Sequence, residues 1–184
     1  GGTNNSTIGT LSANSGTLNV FVDVNNAQPA TLTVANGFTN AGTITLNGYD
    51  DPPRPAAANA SLVVTSGVLV NAIGGTLRAT GSGSGGGTHN FLDAVVDNRG
   101  SFDVQRSLSV SNTARTFKSS VGALNVAAGR VLTINDGTTE LGSGTLGGSG
   151  GTVDLAGTHI LNLLSDVTLL AAGPALGLSG AATV

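Results

Sequence analysis

Short alternations of apolar and polar residues recur along the whole chain. Typical examples are Thr17–Val20, Thr43–Leu46 and Ser101–Val104. Strict alternation sends every second side chain to the same face of a β-strand, so each stretch predicts a strand with one buried face. No window has the density of Glu, Lys, Gln, Arg and Ala that an exposed helix face favours. The pattern therefore predicts an all-β protein built from many short strands.

A recurring phrase precedes most of these alternations: a small polar residue, a glycine, and then threonine or a substitute. Its glycines at positions 16, 42, 75, 100 and 122 are separated by 26, 33, 25 and 22 residues. One such unit cannot bury its own apolar face, but stacked units share a continuous core. We therefore predict a parallel β-solenoid of about seven irregular coils. It spans residues 1–184 as a single segment, expected to be part of a longer repeat protein.

Two stretches interrupt the repeat and predict loops that project from the coils. The first, near residues 48–60, contains Pro52, Pro53 and Pro55. Prolines cannot donate to a sheet ladder, so this stretch is expected to run over the surface. The second, near residues 81–90, is rich in glycine and serine and is expected to be a flexible loop.

An antiparallel β-sandwich is the alternative fold, because it also contains many short strands. The dipeptides Asn-Gly at 36–37 and 47–48, and Asp-Gly at 136–137, suit two-residue hairpin turns. The return of one phrase at intervals of one coil favours the solenoid over the sandwich.

The stretch from Phe38 to Gly48 reads FTNAGTITLNG, and this wording returns with drift along the chain. It resembles the passenger domains of bacterial autotransporters and adhesins of the filamentous-haemagglutinin type. The resemblance extends over nearly the whole chain. It implies a right-handed parallel β-helix, and an exported protein that is secreted or displayed on the cell surface.

Composition and charge exclude several classes of function. The net charge is −3 with seven Lys and Arg residues in total, whereas a nucleic-acid partner requires a concentrated cationic face. The absence of cysteine rules out disulfides and thiolate metal sites. His89 and His159 lack zinc-ligand spacing and are expected to be isolated surface or strand-end residues. No apolar run is long enough to predict a membrane-spanning segment, and no cofactor is predicted.

The proline-containing loop carries the best candidate contact patch. It consists of Tyr49, Asp50, Asp51 and Arg54, with Tyr49 expected to be the one exposed aromatic residue. The five phenylalanines lie in strand-like contexts and are expected to stack in the core. A passive surface loop is the competing interpretation of this patch.

A second group of charged residues would suit a glycan-active enzyme built on a β-helix, such as a polysaccharide lyase or hydrolase. It consists of Asp93, Asp97, Arg99 and Asp103. Catalysis would require these side chains to converge in one cleft. Solvated charges dispersed over the coils are the competing interpretation.

The sequence as a whole favours a non-enzymatic structural or adhesive module that projects a binding surface. The expected partners are a host or cell-surface protein or glycan, or further copies of the chain through its coil ends. A glycan-active enzyme and a self-assembling extracellular fibre element are the alternatives.

Overall fold

The computed structural model describes residues 4–23, 25, 28–50, 58–83, 87–144, 146–167 and 172–183. The described residues form strands, turns and bends, and no helix. Parallel strands stack into a right-handed parallel β-helix of about six turns. The predicted fold class is confirmed, and the number of coils is close to the expected seven.

The strands fall into two sheets. The eleven-stranded sheet contains β1 (Asn4–Ile8), β2 (Ala13–Asn14), β4 (Ala30–Val34), β5 (Phe38–Asn40), β7 (Ala60–Asn71), β9 (Asn90–Asn98), β11 (Leu108–Ser111), β12 (Thr116–Ser119), β14 (Val131–Leu141), β16 (Thr152–Leu163) and β17 (Ala175–Thr183). The six-stranded sheet contains β3 (Thr17–Phe21), β6 (Thr43–Tyr49), β8 (Thr76–Ser82), β10 (Ser101–Val104), β13 (Ala123–Val126) and β15 (Leu146–Gly148).

Every pairing between these strands is parallel and joins consecutive turns. Residue 102, for example, lies between Leu77 of the preceding turn and Leu124 of the following turn. The Asn-Gly and Asp-Gly dipeptides do not form hairpins. Residues 36–37 form the bend between β4 and β5, whereas residues 47–48 lie inside β6 and residues 136–137 inside β14. The antiparallel alternative is therefore wrong, because these dipeptides bend or continue a coil.

The eleven-stranded sheet bends in the middle, so each turn has three faces. We call this bend the sheet corner; in β7 and β14 it lies at Gly67 and Gly137, both with positive φ. Along β9 the burial alternates strictly from Asn90 to Asn98, with even-numbered side chains inside. The inward residues of successive turns form one continuous core of Val, Leu, Ile, Phe and Ala.

A ladder of asparagines from Asn14 to Asn98, buried from Asn40 onward, lines the second bend of successive turns, between the eleven-stranded and six-stranded sheets. The side-chain amide of each asparagine donates to the side-chain oxygen of the next: Asn14 to Asn40, Asn40 to Asn71, and Asn71 to Asn98, each over 2.8 Å. Asn98 then donates to the Ser119 hydroxyl over 3.1 Å. The same amides also donate to backbone carbonyls of the next turn, such as that of Ser101 over 3.0 Å. The ladder therefore satisfies buried polar groups where the strands are interrupted.

The glycine of the repeated phrase follows each ladder residue because the turns approach one another closely there. A Cβ atom at Gly100 would overlap the carbonyl oxygens of Gly75 and Ala72. The predicted corner role of this glycine is confirmed, and the reason is backbone contact between neighbouring turns.

The phenylalanines divide between the core and the surface. Phe38, Phe102 and Phe117 are buried as expected, and the rings of Phe102 and Phe117 meet edge to face with centroids 5.7 Å apart. Phe21 is 64% exposed, and Phe91 points outward from β9. The core assignment is wrong for Phe21 and Phe91, because both lie in the outward phase of their strands.

Candidate functional site

The proline-containing loop begins later than the sequence predicts. Tyr49 is only 5% exposed, because β6 continues through it and pairs it with Ser82 of β8. Its backbone also exchanges two hydrogen bonds of 2.9 Å with Ala58. The prediction that Tyr49 is exposed is therefore wrong. Asp51 and Arg54 lie outside the described residues.

The two interrupting stretches meet at Asp50. Its carboxylate accepts a hydrogen bond of 2.8 Å from the backbone amide of Gly87 and lies 3.4 Å from Nε2 of His89. The other ring nitrogen of His89 lies 3.0 Å from the side-chain oxygen of Asn59. The cavity between the two stretches measures about 10 Å³, which is room for one water at most. These groups are thus engaged with one another, and they tie two consecutive turns together.

The four residues of the glycan-enzyme hypothesis belong to three separate ion pairs. Asp97 accepts from Arg99 over 2.6 Å, Asp103 from Arg78 over 3.0 Å, and Asp93 forms an ion pair with Arg115. Asp93 and Asp97 are four residues apart on β9, which is about 13 Å along an extended strand. Asp103 belongs to the other sheet. The structure therefore does not bring the predicted cluster together.

Asp97 also affects the protonation of its partner. The hydrogen bond and the charge of Asp97 raise the pKa of the Arg99 guanidinium above its usual range. Arg99 thus stays cationic, and this pair at the bend after β9 carries no net charge. Groups that transfer protons have pKa values near the working pH, whereas the pKa of Arg99 is raised away from it.

A shallow hollow of about 250 Å³ opens on the outer face of the eleven-stranded sheet, around Phe91 and Asp93. Strand register places Ser61 and Ser109 on either side of Phe91, and Val63 and Ser111 on either side of Asp93. Short neighbouring side chains therefore leave the outward aromatic ring in a depression three strands wide. We call this depression the first hollow.

A second hollow of about 570 Å³ lies beside the first, at the sheet corner. Its lining comes from three consecutive turns: Thr113, Arg115 and Thr116, then Asp136 and Thr138, then Thr158 and Ile160. Arg115 lines the second hollow and Asp93 lines the first, so their ion pair lies between the two hollows. Together they form what we call the corner groove.

The backbone around the second hollow is held in an unusual conformation. Ala114 and Asp136 have φ values of 56° and 58°, in the left-handed region that residues with side chains rarely adopt. The buried Asn112 stabilises this bend, because its amide donates to the carbonyls of Asp136 over 3.1 Å and Thr138 over 2.9 Å. Such conformations persist only where the surrounding structure fixes them, and they cluster at functional sites.

Asp136 is held in place by the following turn and by the preceding one. One of its carboxylate oxygens accepts from the backbone amide of Thr158 over 2.9 Å, and the other lies 3.3 Å from the Thr113 hydroxyl. Gly157 is required opposite it, since a Cβ there would overlap the carboxylate. The corner groove thus presents fixed donors and acceptors, an aromatic ring and the apolar side chain of Ile160, and it can bind a ligand that carries both ring faces and hydroxyls.

Sequence reasoning identified Asp93 but missed the rest of the corner groove. The pattern Leu92-x-Ala94-x-Val96 sets the phase of β9, and it would have placed Phe91 and Asp93 on the outer face. Arg115 had no comparable signal. It follows Ala114 in a bend whose conformation is imposed by the neighbouring turn.

His159 is the one buried histidine among the described residues, at 1% exposure. Its Nε2 lies 2.8 Å from the hydroxyl of Thr139, which is also buried. Burial lowers the pKa of His159, because desolvation disfavours the imidazolium form. The expectation of a surface or strand-end histidine is wrong here, since β16 extends past His159 and turns it inward.

No family model, curated protein or solved structure matches this chain. Within the described residues there is no group of three or more His, Cys, Asp or Glu side chains arranged to hold a metal ion. The described part of the chain also has no helix of the length and apolar character needed to cross a membrane.

Proposed function

We propose that this chain is a non-catalytic structural and adhesive module of a secreted or surface-displayed protein. The observation that carries the proposal is the continuous parallel stack, in which the repeated phrase builds the same bend in turn after turn. Hydrogen bonds between turns run along the axis of the stack, and the asparagine ladder extends this bonding into the core. Such a body is stiff and presents outward side chains at fixed spacings.

The outer surface is consistent with a module that presents side chains to a binding partner. Outward positions are mostly Thr, Ser and Asn, with scattered ion pairs. The described outer surface is therefore polar but carries no strong concentration of one charge. The resemblance to autotransporter passengers and filamentous-haemagglutinin-type adhesins supports an extracellular location. The dispersal of Asp93, Asp97 and Asp103 among separate partners gives the enzyme hypothesis no geometric support.

Adhesion can be measured directly with the purified chain. Polystyrene beads coated with it are expected to be retained on cultured epithelial cells above beads coated with albumin. An excess of soluble chain should displace them, because both forms compete for the same partner. Retention equal to that of albumin beads would contradict the adhesive function.

Self-association through the coil ends remains an alternative prediction. Phe21 on β3 and Leu178 on β17 are 64% and 49% exposed, and each of these strands has a neighbour on one side in its sheet. Analytical ultracentrifugation of the purified chain at several concentrations tests this alternative. Self-association predicts a sedimentation coefficient that rises with concentration, whereas a single chain that adheres predicts a constant one.

A further inference from the structure

The corner groove has the features of a site for a hydroxyl-bearing ring. Its two hollows of about 250 and 570 Å³ are of the order of small-ligand sites, and the ion pair of Asp93 and Arg115 lies between them. An extended ligand could therefore occupy both hollows across the ion pair of Asp93 and Arg115.

Phe91 supplies an apolar platform in the first hollow. It points outward between Ser61 and Ser109, whose side chains are too short to cover its ring. Aromatic side chains pack well against flat apolar faces, and a pyranose ring offers such a face through its axial C–H groups. The size of the first hollow suits one such ring.

The polar groups of the corner groove suit hydroxyls better than a charged ligand. Arg115 is already paired with Asp93, and Asp136 accepts from the neutral backbone amide of Thr158, so these three groups leave one negative charge, which disfavours an anionic ligand. Arg115 has five N–H donors, and Asp93 has several acceptor positions, so both retain capacity after pairing. The hydroxyls of Thr116 and Thr138 both donate and accept, as sugar hydroxyls do.

The groove is also pre-organised. Its residues lie on strands or on a bend fixed by Asn112, so little ordering is required when a ligand binds. Outward side chains of successive turns lie about 4.8 Å apart, and this regular spacing suits a ligand that repeats along its own length.

We propose that the corner groove binds a neutral glycan chain. Phe91 stacks on one sugar ring in the first hollow, and Arg115, Asp93 and the threonines hydrogen-bond hydroxyls of the rings that continue into the second. This inference rests on the proposed adhesive function and names the chemical class of its partner.

Binding is tested by biolayer interferometry against immobilised mannan, dextran, galactan and chitin oligosaccharides, and against asialo-glycoproteins as a second source of neutral glycan. The wild-type chain should bind at least one of these probes. Phe91→Ser should weaken that binding by about tenfold, as expected for loss of an aromatic stacking partner. Arg115→Gln should weaken it by at least about fivefold, as expected for loss of charge-assisted hydrogen bonds.

Two variants serve as matched controls. Phe21→Ser removes an exposed phenylalanine outside the corner groove, and Arg78→Gln removes the equivalent ion pair on the six-stranded sheet. Both should bind as the wild type does. Circular dichroism and urea unfolding of all four variants confirm that the fold is intact.

The inference is overturned if no probe binds, or if Phe91→Ser and Arg115→Gln bind as strongly as their controls. The bead experiment separates this failure from that of the proposed function. If beads coated with Phe91→Ser adhere as well as beads coated with the wild type, the adhesive function stands, and the corner groove is excluded as the adhesive surface. Beads that adhere no better than albumin contradict the adhesive function, whereas the interferometry still decides whether the groove binds glycan.

Discussion

At the scale of single residues, the asparagine ladder explains why the repeated phrase contains asparagine. At the bend, the strands are interrupted and several backbone carbonyls lack ladder partners. Each asparagine of the ladder serves both its neighbour in the ladder and a carbonyl of the next turn. An aspartate of the same shape could not donate these bonds, and a leucine could not make them at all.

Asn71→Ala should therefore destabilise the chain by about 2–4 kcal/mol, because it leaves buried partners on both sides unsatisfied. Asn40 loses its acceptor, and Asn98 and Ser101 lose their donor. The free energy of unfolding is measured by urea titration.

The matched control is Asn125→Ala on the outer face of β13. Asn125 makes a single long contact of 3.5 Å with the Ser101 hydroxyl. Its replacement should change the free energy of unfolding by no more than about 0.5 kcal/mol. Equal effects of the two substitutions would show that the ladder adds nothing beyond an ordinary surface contact.

The sequence predicted the bends better than it predicted which side chains enter the core. The repeated phrase identifies Gly42, Gly75, Gly100 and Gly122, and at each of them close contact with a neighbouring turn leaves no room for a Cβ atom. Tyr49 was misplaced because prolines three residues away suggested a loop, whereas pairing with Ser82 extends β6 to its last residue. Pairing with a neighbouring turn depends on residues far away in the chain, and local patterning does not contain that information.

At the scale of strands, β14 and β16 bury a polar contact that contains a titratable side chain, His159. Thr139 occupies an inward position that holds Phe117 in the preceding turn and Leu161 in the following turn. Its hydroxyl lies 2.8 Å from Nε2 of His159, and burial between the strands favours the neutral imidazole by lowering the pKa of His159.

Acidification should weaken this pairing. The pKa of His159 lies below its usual value of 6.5 in the folded chain, so the unfolded chain binds the proton more readily. The contribution of His159 to stability is complete above pH 6.5 and is lost as the pH falls below this value towards the folded pKa. Urea unfolding at pH 7.5 and 5.5 measures this loss.

In His159→Gln the fall in the free energy of unfolding between the two pH values should be smaller than in the wild type. Glutamine keeps a polar group near Thr139 but does not titrate. Thr158→Ser, at the exposed neighbouring position of β16, should keep the wild-type pH dependence. An unchanged pH dependence in His159→Gln would contradict this role for the buried imidazole.

At the scale of the whole molecule, the described strands pair between neighbouring turns. Stability in such a stack is approximately a sum of terms from single turns and from neighbouring pairs. The central strands β8 and β10 each have partners on both sides, whereas β1 and β17 each have a partner on one side. Local opening should therefore cost least at the terminal turns and most in the middle of the stack.

Hydrogen exchange followed by mass spectrometry should show this gradient along the chain. Amides in Thr76–Ser82 and Ser101–Val104 are expected to exchange at least about tenfold more slowly than those in Asn4–Ile8 and Ala175–Thr183. The asparagine ladder reinforces the contrast with Ala175–Thr183, because it ends at Ser119. Uniform protection from β1 to β17 would mean that the stack opens as a single cooperative unit, contrary to nearest-neighbour stabilisation.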